Sequence, residues 1–174
     1  MMRKTAPMIC LCSLAGLFAM GFLQAQSASD ALTDYCASLK VKFPNVPTVT
    51  PSELAALQNT PLLLDVREAG EFAVSHLAGA HRAEENVVAQ LDRLGIRADS
   101  PIVVYCSVGY RSSLLAVKLQ EAGFQNVRNL EGSLFAWANA GLPLVNAGGP
   151  AEGAHPYSIL WGRFLERSKW RWKP

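Results

Sequence analysis

Two short apolar runs constrain this chain most, "PLLLDV" at 61–66 and "PIVVYC" at 101–106. Both are continuous rather than alternating, so each reads as a strand covered on both faces, the environment of a parallel sheet flanked by helices. "VPTV" at 46–49 and "NVRNL" at 126–130 read as two further strands. Helical spacing fills the intervals. Residues 30–41 put Leu32, Tyr35, Cys36 and Leu39 on one face, and Thr50, Pro51 and Glu53 write a capping-box start. Glu68 to Phe72 predicts a short helix, "HLAGA" a loop, and Glu84 to Leu94 a helix stopped by Gly95. Arg111 to Ala122 predicts a helix with Leu114, Leu115, Val117 and Leu119 as its apolar residues, and Gly132 to Ala138 another. Past Val145, "NAGGPAEGAHP" reads as loop and Tyr157 to Arg167 as a last helix. Strands alternating with such helices make an α/β fold with a mostly parallel sheet.

The N-terminus has a different grammar. Arg3 and Lys4 precede an uncharged stretch from Ala6 to Leu23, and Ala25 and Ser27 then place a cut after Ser27. This is the layout of a signal peptide, with an uncleaved membrane anchor as the alternative. Both readings predict export, with the protein periplasmic or anchored facing the periplasm. Of 16 Lys and Arg, the two in the leader leave 14, matching 14 Asp and Glu. The basic residues gather at the end, in Arg163, Arg167, Lys169, Arg171 and Lys173. That tail is expected to be a solvated terminus, with contact to an anionic membrane as the alternative. No basic face elsewhere suggests nucleic acid, and no ligand spacing suggests a metal. Outside the leader only Cys36 and Cys106 remain. Cys36 is expected inside a helix, and its pairing with Cys106 is the alternative.

The chemistry concentrates in "YCSVGYRSS", residues 105–113. Cys106 ends a buried strand just before a helix begins, at the sheet edge where α/β proteins gather their ligands. The loop Ser107, Val108, Gly109, Tyr110 and Arg111 can curl so that backbone N–H groups and the helix N-terminus face one anion. Gly109 permits the curl, and Arg111 carries a guanidinium to its rim. Ser112 and Ser113 can cap the helix. Such surroundings lower a thiol's pKa, and Cys106 is the expected nucleophile.

This loop resembles the active loop of rhodanese-like sulfurtransferases, Cys-x-x-Gly-x-Arg. "LLLDVREAGEFAVSHLAGA" resembles a second signature of that family, and "NVRNLEGSLFAWANAGLPL" its closing strand and helix, over about residues 48–145. The resemblance implies a five-stranded, mostly parallel sheet with helices on both faces. It also implies a persulfide on Cys106, filled by a small sulfur donor such as thiosulfate and emptied by a thiol or cyanide, with no cofactor and no metal. Sulfur exchange with a protein partner is a further expectation. Asp65 and Arg67 are expected to support the loop, and His76 to hold a turn. One departure stands out: Ser107 occupies a position that is basic in many relatives, so the persulfide of another thiol, or a protein donor, suits this rim at least as well as thiosulfate.

The chain then divides into a leader (1–27), a helical extension (28–47), the rhodanese domain (48–145) and a C-terminal extension (146–174) with a basic end. A monomer is expected. Phosphatases and arsenate reductases of related fold have five residues between cysteine and arginine. Here there are four, too tight a ring for phosphate. A non-catalytic binding module and a thiol redox protein remain the alternatives.

Overall fold

The computed structural model describes the backbone of residues 14–174 and side chains from Ala28 onward. Of the expected leader, residues 1–13 lie outside the described residues, and residues 14–27 are described in backbone only. Helix α1 (Leu14–Lys42) leads into β1 (Thr48–Val49), α2 (Pro51–Ala55), β2 (Leu62–Asp65) and α3 (Ala69–Val74). Then follow β3 (His81–Arg82), α4 (Val87–Arg93), β4 (Ile102–Tyr105), α5 (Tyr110–Glu121), β5 (Val127–Leu130) and α6 (Ser133–Asn139). A hairpin of β6 (Leu144–Asn146) and β7 (Gly149–Ala151) precedes the short α7 (Ile159–Gly162). Among the described residues, no helix is long and apolar enough to cross a membrane.

Strands β1 to β5 form one sheet in the order β1-β5-β4-β2-β3, every pairing parallel. Pleating sends alternate residues of one strand to opposite faces. Leu63, Val103 and Tyr105 join α1, α2 and α6 in one core, while Leu64, Ile102 and Val104 join α4 and α5 in the other. Two covered faces are the reason the strands read as unbroken apolar runs. The chain leaves β2 toward β3 and leaves β4 toward β5, in opposite directions. The carboxyl ends of β2 and β4, with Asp65 and Tyr105 in register, therefore meet at a topological switch point.

Several local expectations need correction. The fifth strand is β3, two residues too short and too exposed to carry an apolar pattern. The segment after Val145 is not plain loop but includes most of the β6–β7 hairpin, in which Val145 of β6 also exchanges backbone hydrogen bonds with His76. In α5 the inward face is Ser112, Ser113, Ala116 and Leu119, and Leu114 is about half exposed. The long terminal helix is only α7, followed by a single 3-10 turn. Nor is the basic tail frayed. Ala154 bridges to Trp170, Arg167 stacks on Trp170 at 4.0 Å, and the Lys169 ammonium donates to the Ala138 carbonyl.

Candidate active site

Strand β4 ends on Tyr105, Cys106 follows it, and a tight loop leads into α5 at Tyr110. Gly109 is the hinge, as N-cap of α5 with φ +107°. A side chain there would be strained by that angle and would press on Leu39, 3.2 Å from the position of its Cβ. The tight turn brings the Gly109 N–H to 3.1 Å from the Cys106 sulfur, and the Ser112 hydroxyl lies 3.6 Å from it. The loop is clamped from below. Ser133, held at φ +51°, accepts the Cys106 N–H at 3.1 Å through its hydroxyl, and Leu134 and Phe135 donate to the carbonyls of Cys106 and Ser107. Asn129 donates to the Gly109 carbonyl at 3.0 Å.

These contacts decide the state of the sulfur. Burial pushes the Cys106 thiol up, but the Ser112 hydroxyl, the Arg111 charge and the amides of Ser112 and Gly109 outweigh it and bring its pKa below the ordinary value. Cys36 is the opposite case. Burial, with the Glu131 charge, raises it to about 11. Both cysteines are free thiols, so the pairing alternative is not what the structure holds.

Arg111 does not sit as a bare cation at the rim. Its guanidinium makes a two-pronged pair with Glu71, both N–H···O distances being 3.0 Å, and Glu71 is nearly buried. Ser107 joins the cluster, donating to Glu71 and accepting from Arg111, each at 3.1 Å. Burial alone would raise the Glu71 pKa, but the hydrogen bonds and charge of Arg111 hold it below the usual carboxylate range. Arg111 is raised in turn.

Asp65 and Arg67 form a pair with both side chains fully buried, the shortest N···O distance being 2.6 Å. Arg67 also donates to the carbonyls of Glu71 and Ser75. The pair reaches the Cys106 loop through α3, by fixing where Glu71 stands. His76 stacks on Phe72 and bonds its carbonyl at 3.0 Å, a turn-holding arrangement.

The chain matches the Rhodanese-like domain family over residues 50–140, half of its length, and that stretch contains the whole loop. The chain belongs to the rhodanese-like family. Thiosulfate sulfurtransferase GlpE of Haemophilus influenzae is 34% identical over 100 residues, which is 57% of this chain and 94% of that protein. A sulfurtransferase of Allochromatium vinosum is 33% identical over 84 residues, 48% of this chain and 78% of its own. The rhodanese-like domain of an Anabaena protein, known from solution NMR, superposes with a TM-score of 0.50 at 29% identity, covering 65% of this chain and 90% of that domain.

In this rhodanese fold, a pocket of about 150 Å³ opens over Cys106, walled by Val108, Tyr110, Tyr157 and Trp161. Sequence reasoning placed Cys106, its loop, Asp65 and Arg67 in one neighbourhood, and the structure brings them together. It missed three features. Glu71, inside the second signature, carries no assigned role in the sequence, where it stands 40 residues from its partner Arg111. Ser112 was expected to cap a helix, whereas it lies within the first turn of α5 with its hydroxyl toward the sulfur. The spacing from Tyr157 to Arg167 predicts one helix, whereas Tyr157 precedes α7 at φ +64° and lines the pocket together with Trp161.

Proposed function

We propose that this protein is an exported sulfurtransferase that carries sulfane sulfur as a persulfide on Cys106. One observation carries the reading: a buried sulfur receives an amide and a hydroxyl inside a left-handed loop at a helix N-terminus, beneath an open pocket. The Cys106 thiolate attacks the outer sulfur of thiosulfate or of another persulfide, a new S–S bond forms, and sulfite or a thiolate leaves with the electron pair. An acceptor thiolate or cyanide then attacks that outer sulfur and restores the Cys106 thiolate. The lowered pKa of Cys106 favours its thiolate, and attack by the thiolate moves no proton in the first displacement. The loop Ser107 to Arg111 holds the persulfide, while Asp65, Arg67 and Glu71 position it.

The names of the relatives support sulfur transfer as the reaction class. Export, to the periplasm or to a membrane anchor facing it, rests on the leader pattern alone. The test is turnover: the chain incubated with a sulfur donor and cyanide should release thiocyanate, and the Cys106→Ser variant should release none. Equal thiocyanate from both proteins would end the proposal.

A further inference from the structure

The pocket over Cys106 has two halves of different origin. Val108, Tyr110 and Arg111 come from the loop, whereas Tyr157 and Trp161 come from the C-terminal segment, outside the residues that match the family. That segment is built into place rather than laid across the opening. Trp161 meets Tyr35 of α1 edge-on at 5.7 Å, and its neighbour Phe164 packs on the same ring. Asn139 of α6 donates to the Phe164 carbonyl and accepts the Glu166 N–H. Tyr157 is held in the left-handed region, its N–H donating to His155 Nδ1 at 3.0 Å, and its ring stacks on the Arg111 guanidinium at 5.1 Å. A bulky residue keeps such a backbone only where its surroundings over-determine it.

The charge of this pocket is also set. Arg111, the cation a dianion would seek, is already paired through both prongs with the nearly buried Glu71, and Ser107 adds no charge. A doubly charged thiosulfate would thus enter a pocket with aromatic walls and a neutralised cation. The volume, about 150 Å³, is the size at which a protein cavity holds one aromatic ring.

We propose that the C-terminal segment is the specificity wall of this enzyme, Tyr157 and Trp161 selecting an organic persulfide whose sulfur bears a small apolar or aromatic group, in preference to thiosulfate. This rests on the persulfide chemistry proposed above. The balanced step is attack of the Cys106 thiolate on the outer sulfur of R–S–SH. The Cys106–sulfur bond forms, the S–S bond of the donor breaks, and R–S⁻ leaves with the electron pair while the proton stays on the transferred sulfur. The group R rests between Tyr157 and Trp161 throughout.

The test measures the rate of one-sulfur gain on Cys106 by intact mass, using the full chain and three donors: benzyl persulfide, methyl persulfide and thiosulfate. Benzyl persulfide should load fastest and thiosulfate slowest. In Tyr157→Asn, chosen because asparagine tolerates the left-handed backbone, the benzyl-over-methyl rate ratio should fall by about fivefold, the worth of one aromatic contact. Tyr157→Phe, which keeps the ring, should retain the ratio. Faster loading by thiosulfate than by benzyl persulfide, or an unchanged ratio in Tyr157→Asn, would overturn the specificity wall while leaving the persulfide mechanism standing. Failure of all three donors to load wild-type Cys106 would overturn both.

Discussion

Replacing Glu71 by Gln removes one charge from the cluster that ties α3 to the Cys106 loop. The carboxylate accepts from both prongs of Arg111, from the Ser107 hydroxyl and from the Glu68 N–H. Breaking a fully buried pair by removing one partner costs about 3–5 kcal/mol. Here the Glu71 side chain is 5% exposed but that of Arg111 is 33% exposed, so water re-solvates part of the stranded guanidinium. Glutamine also keeps some of the hydrogen bonds. About half of the full cost remains, roughly 2 kcal/mol. For a chain of this length that lowers the melting temperature by about 4–8 °C. Thermal or denaturant unfolding measures it, and a double-mutant cycle with Arg111→Ala isolates the pair, whose coupling should be about 1–2 kcal/mol. The effect has a pH signature. Glu71 has a lowered pKa in the folded state, so its stabilisation is fully present above the unfolded value of about 4.3 and is lost as pH falls through the folded value. Wild type and Glu71→Gln should therefore converge in stability on acidification below that point. A loss under about 0.5 kcal/mol at neutral pH, within the ordinary range of surface substitutions, or a vanishing coupling energy, would refute the cluster as the tie between α3 and the loop.

The Ser112→Ala variant loses the hydroxyl that faces the Cys106 sulfur, so the thiol pKa should rise, seen as a shift to higher pH in its alkylation-rate profile. Arg67→Ala leaves Asp65 charged, buried and alone, and should cost about 3–5 kcal/mol in denaturant unfolding. Cys36, buried and raised to about 11, should resist alkylation in the native protein at neutral pH. Iodoacetamide should then modify Cys106 and leave Cys36 unmodified in wild type, as read by peptide mass mapping, with neither position modified in Cys106→Ser.

How much of this was legible beforehand depended on the range over which each feature is written. The runs 61–66 and 101–106 announced a doubly covered parallel sheet because burial on both faces leaves an unbroken apolar signature. Thr50, Pro51 and Glu53 announced α2 because a capping box is complete within four residues, and both of its hydrogen bonds form. The strand β3 was silent because a two-residue exposed edge strand has no face to pattern. Apolar content read α5 only in part: Leu119 is buried and Leu115 and Val117 pack on the core, but Leu114 is half exposed, and the inward positions nearest the Cys106 loop are the small Ser112, Ser113 and Ala116. Glu71 reads as an ordinary surface carboxylate until the fold sets it beside Arg111. The C-terminal segment shows a tyrosine and a tryptophan at helical spacing, yet Tyr157 stands ahead of α7 at a left-handed angle that no propensity favours for a bulky residue.

The central claim is that sulfur travels on Cys106. Its most direct test is the intact mass of the chain after exposure to a persulfide donor, measured beside Cys106→Ser. The account predicts a gain of one sulfur atom in wild type, removed by cyanide, and no gain in the variant. An unchanged wild-type mass, or the same gain in Cys106→Ser, would contradict it.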